Sequence, residues 1–420
     1  MRRYFGTDGV RGVFGQDLTP ELVERLGRAF ALWSGGRAVL VGRDTRGSGP
    51  ELERALAGGL ASGGADVLLG SILPTPAVAL LAEESGAVVS ASHNPAEYNG
   101  VKFFAAGTKL TDADEEEVEG LLDASGAGGG SVAQVEGLAE RYLEIVCERF
   151  GRPLHGLRVA CDCANGALSE IAPAALERLG AAVVAVGNEP NGTNINAGCG
   201  ATDLSLLSRV VREQRMDLGV AFDGDGDRML AVDADGREVD GDQILAVLAL
   251  SLRVDLVAVT TMTNLGFRRL MEERGVRLVT TDVGDRYVLE ALRREGGILG
   301  GEQSGHVIYL NGHVSGDGLA TALLLCAALV ESEATLAEAA AVMPRYPQVK
   351  VNVRVRSKEL PQALLDCVAE LNAELAGRGR LVVRPSGTEP VVRVLAEAER
   401  EEEAARLCAS IAALVERELG

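Results

Sequence analysis

Short apolar runs recur along the chain, each followed by a helical stretch and a closing glycine. Arg37-Ala-Val-Leu-Val-Gly predicts a strand, Pro50 to Ser62 a helix ended by Gly63-Gly64, and Ala65-Asp-Val-Leu-Leu a second strand. Leu157-Arg-Val-Ala-Cys-Asp begins the pattern again, with a helix over 167–179, Gly180 and the strand Ala182-Val-Val-Ala-Val. Asp255-Leu-Val-Ala-Val-Thr begins it a third time, with a helix over 265–274, Gly275 and the strand Val276-Arg-Leu-Val-Thr. Each is a βαβ unit, so parallel strands with right-handed crossovers are expected. The end of the chain differs. Pro347-Gln-Val-Lys-Val-Asn-Val-Arg-Val alternates, as an antiparallel strand with one wet face does. A helix over 360–375, two strands around Arg384-Pro-Ser-Gly-Thr-Glu-Pro and a Glu- and Ala-rich helix complete it. The expected fold is three tandem α/β domains with mixed sheets plus a smaller C-terminal α+β domain, divided at 1–146, 147–242, 243–345 and 346–420.

Composition narrows the class. The 420 residues are enough for two to four domains of about 150 residues each. Apolar residues at 47% and charged residues at 24% exclude a disordered or fibrous chain. Aromatics are only 4%, so the cores must be built from Ala, Val and Leu, which suits parallel α/β layers. A net charge of −20 opposes nucleic acid and anionic lipid, so a site for an anionic substrate must be assembled locally. The start, Met-Arg-Arg-Tyr-Phe-Gly-Thr-Asp, turns polar at once, and the apolar run over 318–330 is too short to cross a bilayer. No membrane partner and a cytoplasmic location are therefore expected, with 318–330 a buried helix. The seven cysteines fit neither a zinc knuckle nor a redox C-x-x-C and are read as reduced thiols, with Cys161 and Cys163 on opposite faces of their strand. The Gly-rich stretch 123–131 is read as a flexible surface loop.

Four loops carry chemistry. Ser90-Ala-Ser-His-Asn-Pro follows an apolar strand, where α/β folds place ligands. It lacks the glycines of a nucleophile elbow, and neighbouring loop residues are expected to point apart, which argues against His93 as a base for Ser92; a turn ending at Pro95 is the plain alternative. Asp223-Gly-Asp-Gly-Asp-Arg carries three carboxylates. On a straight strand the outer two would stand ~13 Å apart, at about 3.3 Å per residue. The two glycines let the backbone curl until the carboxylates converge, and a divalent cation relieves their repulsion. An EF-hand is excluded, because Arg228 and Ala234 stand where Gly and Glu are needed. In Gly300-Gly-Glu-Gln-Ser-Gly-His, Glu302 and Ser304 share a face and suit sugar hydroxyls, although Ser304 could equally be a helix N-cap. Arg384-Pro-Ser-Gly-Thr-Glu-Pro, with Arg393, combines exposed amides and guanidinium groups into an anion nest. Arg11 in a Gly-rich N-terminal loop and Lys102 ten residues beyond Ser92 are further cations, and Arg43-Asp-Thr-Arg46 opens the loop after the first unit's strand. A reactive hydroxyl, a metal site, a polyol-reading loop and a phosphate nest are the parts of phosphoryl transfer on a phosphosugar.

Together, Ala91-Ser-His-Asn-Pro, Asp223-Gly-Asp-Gly-Asp-Arg, Gly301-Glu-Gln-Ser-Gly-His and Arg384-Pro-Ser-Gly-Thr-Glu-Pro resemble the four signature loops of the α-D-phosphohexomutases, in the family's order and across the whole chain. The resemblance implies a heart-shaped, four-domain enzyme around a central cleft, each domain contributing one loop. It implies Ser92 as the phosphoserine and Asp223, Asp225 and Asp227 as Mg²⁺ ligands, with an oxygen on Ser92 completing the set. Glu302 and Ser304 would read sugar hydroxyls, and Arg384, Ser386, Gly387 and Thr388, with Arg393, would grip the non-reacting phosphate. Lys102, Arg11 and His306 would handle protons or stabilise charge. Phe5-Gly-Thr-Asp-Gly-Val-Arg-Gly and Gln303 resemble the amino-sugar branch. That branch implies glucosamine 6-phosphate and glucosamine 1-phosphate as substrates, a 1,6-bisphosphate intermediate, supply of UDP-N-acetylglucosamine for peptidoglycan precursors, and a homodimer through the first domain. The rivals are a phosphomannomutase or phosphoglucomutase of the same fold, a non-catalytic Ca²⁺- or sugar-phosphate-binding protein, and a serine hydrolase.

Overall fold

The computed structural model describes residues 3–6, 8–126, 128–386 and 390–420. Four sheets follow one another along the chain. In the first, Val67–Ile72, Val39–Arg43 and Ser85–Val89 run parallel, Val132–Gln134 extends one edge in parallel, and Tyr98–Ala105 and Val10–Val13 extend the other antiparallel. The second has Ala182–Val186, Arg158–Asp162 and Leu218–Phe222 in parallel, then Met229–Asp233 and Glu238–Val239 antiparallel. The third orders Arg277–Thr281, Leu256–Thr260 and Leu299–Gly301 in parallel and ends on antiparallel Val307–Tyr309. These are the βαβ units of the repeat, each mixed at one edge. The fourth sheet, Gln348–Arg354, Val391–Ala398 and Gly379–Pro385, is fully antiparallel and is covered by Gln362–Leu375 and Glu401–Leu419. The expected fold class is borne out.

Burial explains how the units cohere. One continuous apolar cluster runs from Leu40 through Val159 and Val257 to Met343, joining the first three sheets. At its centre lies the helix Gly318–Ser332, apolar on nearly every side as the run over 318–330 predicts; Asp317 caps it by accepting from the Ala320 amide at 2.9 Å. The C-terminal unit has its own core of Val353, Leu364, Val392, Ile411 and Val415. Among the described residues, no helix is long and apolar enough to cross a membrane.

Two local expectations are corrected. The helix expected over 167–179 begins at Ile171, because the Ala167 amide donates to the carbonyl of Gly224 at 2.9 Å instead of entering a helical turn. Cys161 and Cys163 do not lie on opposite faces: residues two apart on extended backbone share a face, and their buried sulfurs are 3.7 Å apart. The described part of 123–131 is a mostly exposed surface loop as expected, and beyond residue 127 the Gly128 and Gly130 amides anchor it by donating to the carbonyls of Ser62 and Ala61.

Candidate functional site

Ser92 sits just past the buried strand Ser85–Val89, with a left-handed φ of 54°. Its amide donates to Ser90 Oγ at 2.9 Å, and its own Oγ donates to Asp223 Oδ2 at 2.6 Å. His93 does not point away as expected: its Nδ1 is 3.4 Å from Ser92 Oγ, because a left-handed residue breaks the alternation that separates neighbouring side chains. Burial, with help from Arg228 and Arg11, pushes the His93 imidazole down to about 4. A ring that resists protonation this strongly is a poor general base, and the hydrolase alternative loses its base.

The acidic loop leaves the buried strand Leu218–Phe222 and curls as its glycines allow, with Gly226 at φ 75°. Asp223, Asp225 and Asp227 are buried, and each brings one carboxylate oxygen within 4.8 Å of the others. Asp225 Oδ1 and Asp227 Oδ1 lack a hydrogen-bond partner among the described residues. Burial, reinforced by Asp227 and Asp225, pushes the Asp223 carboxyl up to about 8. Converging, partly unpaired, mutually repelling carboxylate oxygens suit a hard divalent cation, so the donor set fits a metal.

Lys102 enters the cluster from the neighbouring strand of the first sheet. Its Nζ lies 2.8 Å from Asp225 Oδ2, 3.0 Å from Asp8 Oδ2 and 3.5 Å from Asp227 Oδ2. Burial alone would lower its pKa; those carboxylates outweigh burial and hold it above its ordinary value. Arg11 pairs with Asp8. His306 stands between Asp227 and Asp285, each ring nitrogen 3.6 Å from a carboxylate oxygen, and the two acids overcome burial to keep its pKa raised. Lys109 closes the circuit, 2.5 Å from both Asp8 and Asp285. Thr75 donates its hydroxyl to Asp225 Oδ2 at 2.6 Å. The sequence alone did not single out Asp8, Thr75, Lys109, Arg228 or Asp285. Asp8 lies inside the quoted N-terminal motif and Arg228 ends the acidic one, so those two left a signal.

In the Glu302–Ser304 turn the Glu302 amide donates to the His306 carbonyl at 3.0 Å, and Glu302 Oε1 accepts from the Gly284 amide at 3.1 Å. Ser304 is exposed, 3.5 Å from Glu302 Oε2, in a turn and not at a helix N-cap. In the C-terminal unit Arg384 and Arg393 face each other on adjacent strands, and Arg393 Nη2 lies 3.4 Å from Ser386 Oγ. Like charges in direct cross-strand register repel, and an anion between them removes that cost. Arg384, Arg393, Lys350 and Asn352 line a cavity of about 220 Å³. Burial and Arg393 lower the Arg384 pKa, while Asp282 and Glu302 act on it from the third unit. Gly387 and Thr388 lie outside the described residues.

Models for phosphoglucomutase/phosphomannomutase match the chain in sequence: α/β/α domain I over 2–127, domain II over 136–236, domain III over 240–346 and the C-terminal domain over 349–414. The chain belongs to the phosphoglucomutase/phosphomannomutase family. It is a phosphohexomutase, an intramolecular phosphotransferase. It is 50% identical to a phosphoglucosamine mutase of Saccharopolyspora erythraea over 99% of both chains, and 48% identical to one of Pelotomaculum thermopropionicum over 94% of both. A phosphoglucomutase/phosphomannomutase family protein of Burkholderia thailandensis superposes with a TM-score of 0.84 at 27% identity, over 98% of this chain and 97% of that one. The same fold recurs in an Aspergillus fumigatus N-acetylphosphoglucosamine mutase solved with GlcNAc-6P and magnesium, at TM-score 0.66 and 20% identity over 99% and 96% of the two chains.

Proposed function

We propose that this phosphohexomutase interconverts glucosamine 6-phosphate and glucosamine 1-phosphate, with Ser92 as the phosphoryl carrier. The observation that carries the reading is the 2.6 Å contact between Ser92 Oγ and Asp223 Oδ2 at the edge of the acidic cluster. Relatives 48% and 50% identical to this chain, over 94% and 99% of it, bear the name of that amino-sugar activity. Asp223, Asp225 and Asp227 would hold Mg²⁺, which when bound offsets negative charge on the transferring phosphoryl group. Lys102, held cationic at the same spot, adds positive charge from the protein.

In the forward direction the O1 hydroxyl of glucosamine 6-phosphate attacks the phosphorus of phospho-Ser92. The P–O bond to the serine breaks, and the hydroxyl proton leaves to a base in the cleft. The 1,6-bisphosphate turns end for end, and Ser92 Oγ attacks its 6-phosphorus: the P–O6 bond breaks, the serine proton leaves, and O6 takes up the proton held by the cleft base to release glucosamine 1-phosphate. Arg384, Ser386 and Arg393, with Gly387 and Thr388, grip whichever phosphate is not reacting, while Glu302 and Ser304 read the sugar hydroxyls. Arg11 and His306 complete the charged wall. The separate core of the C-terminal unit suits a clamp that opens for the reorientation. Units bounded at 1–146, 147–242, 243–345 and 346–420, a cytoplasmic location and a homodimer through the first unit accompany this reading.

Turnover of glucosamine 1-phosphate, glucose 1-phosphate and mannose 1-phosphate, compared as kcat/KM with a bisphosphate primer, tests it. Glucosamine 1-phosphate is expected to lead by about tenfold or more, a difference of ~1.4 kcal/mol in transition-state binding. A lead for either neutral sugar overturns the assignment in favour of a phosphoglucomutase or phosphomannomutase.

A further inference from the structure

The backbone carbonyls of Ser92 and Asn94 are each held twice. Arg46 Nη2 donates to Ser92 O at 2.9 Å and to Asn94 O at 2.8 Å. Asn196 Nδ2 donates to the same two oxygens, at 2.9 Å and 3.1 Å. The two donors come from different units: Arg46 follows the strand Val39–Arg43, and Asn196 follows Ala182–Val186.

Arg46 is 1% exposed, and its Nη1 also serves the carbonyls of Tyr98, at 2.9 Å, and Pro95. Its Nε is fixed by Asp44 Oδ2 at 2.9 Å, which also accepts from Ser90 Oγ at 2.6 Å. Asn196 is anchored by its amide on the Ala164 carbonyl at 2.9 Å. Gly224 of the acidic loop passes so close that a Cβ there would stand 2.7 Å from Ser92 O. Ser92 is meanwhile left-handed, a conformation disfavoured for any residue with a Cβ and retained only where the surroundings enforce it.

We propose that Asn196 and Arg46 are positioning residues for phosphoryl transfer: gripping the same two carbonyls from two units, they hold Ser92 left-handed with its Oγ aimed at the acidic loop. The proposal rests on the phosphoserine reading of Ser92. Its consequence is that the relative placement of the first two units sets the attack geometry, because the second unit supplies both the acidic loop and one half of the grip. Both side chains are spent on the loop's own carbonyls, so losing the grip lowers kcat and spares KM.

The test uses the full chain with Asn196→Ala and Asn196→Asp; the second keeps the size of the side chain and turns a donor toward two carbonyls into an acceptor. Both are expected to lose about tenfold or more in kcat, keep KM for glucosamine 1-phosphate within about twofold, and take up phosphate on Ser92 from glucose 1,6-bisphosphate more slowly by a similar factor, read by intact mass. Arg46→Lys, which retains the charge and a single donor centre, is expected to show the same split. Wild-type kcat in both Asn196 variants, or a loss confined to KM or to melting temperature, overturns the proposal. Normal turnover by Ser92→Ala would instead overturn the phosphoserine reading, a result no Asn196 variant can mimic.

Discussion

Ser92 Oγ donates to Asp223 Oδ2 across 2.6 Å, although 131 positions separate the two residues in sequence. The contact joins the C-terminal ends of strands from two different sheets, where open α/β folds assemble ligand sites. It places the proposed carrier oxygen one side chain away from the proposed metal ligands.

Ser92→Ala removes that oxygen and little else. Turnover is expected to fall at least ~10³-fold, because the remaining groups have no carrier to act on. Intact mass should show no phosphate gained from glucose 1,6-bisphosphate, and circular dichroism should be unchanged. Residual turnover near wild type would refute the carrier role.

Chelated protein should regain stability with magnesium. A cation that binds only the folded chain adds about 2.7 kcal/mol at a hundred times its Kd, visible as a rise in Tm. Asp225→Asn and Asp227→Asn should each shrink that rise. A wild-type melting curve insensitive to millimolar magnesium would speak against the site.

Gly224→Ala tests the approach of the acidic loop to the serine. The new Cβ would stand 2.7 Å from Ser92 O and 2.7 Å from Ile195 Cδ1, so the loop must retreat. A displacement of about 1 Å is expected to reduce kcat by ten- to a hundredfold or so. Gly58→Ala is the control: it lies in the helix Gly49–Ser62 with nothing within 4 Å, and should raise stability by roughly 0.5–1 kcal/mol with normal kinetics.

Asp242 should make stability depend on pH. It is fully buried, and burial together with Asp240 pushes its carboxyl up to about 7. The folded chain therefore keeps a proton that the unfolded chain has lost above about pH 4. This contribution is complete below the unfolded pKa, falls as pH rises toward 7 and is gone above it. Urea unfolding from pH 5 to pH 8 should show wild-type stability declining relative to Asp242→Asn, by a few kcal/mol at most at ~1.4 kcal/mol per unit. Parallel curves for the two proteins would exclude it.

The order of residues spells out the repeating βαβ units, the distinct antiparallel end and the four chemical loops. Each is written locally: apolar periodicity, helix-closing glycines and turn residues act over a few positions, and Gly224 and Gly226 announce that three acids can converge. It left Gln303 as a marker without a role; folded, its Nε2 lies 3.3 Å from Asp240 Oδ2 while Lys350 of the C-terminal unit donates to its Oε1 at 2.8 Å. It takes the folded molecule to show that Asp8, Lys109 and Asp285 close a circuit of charge around Lys102 and His306, that Asn196 reaches Ser92, and that His93 turns toward its neighbour. These depend on where separate sheets dock and on one left-handed residue. Docking is governed by the apolar cluster shared by three units, whose contacts join positions hundreds of residues apart and leave no local pattern in the chain.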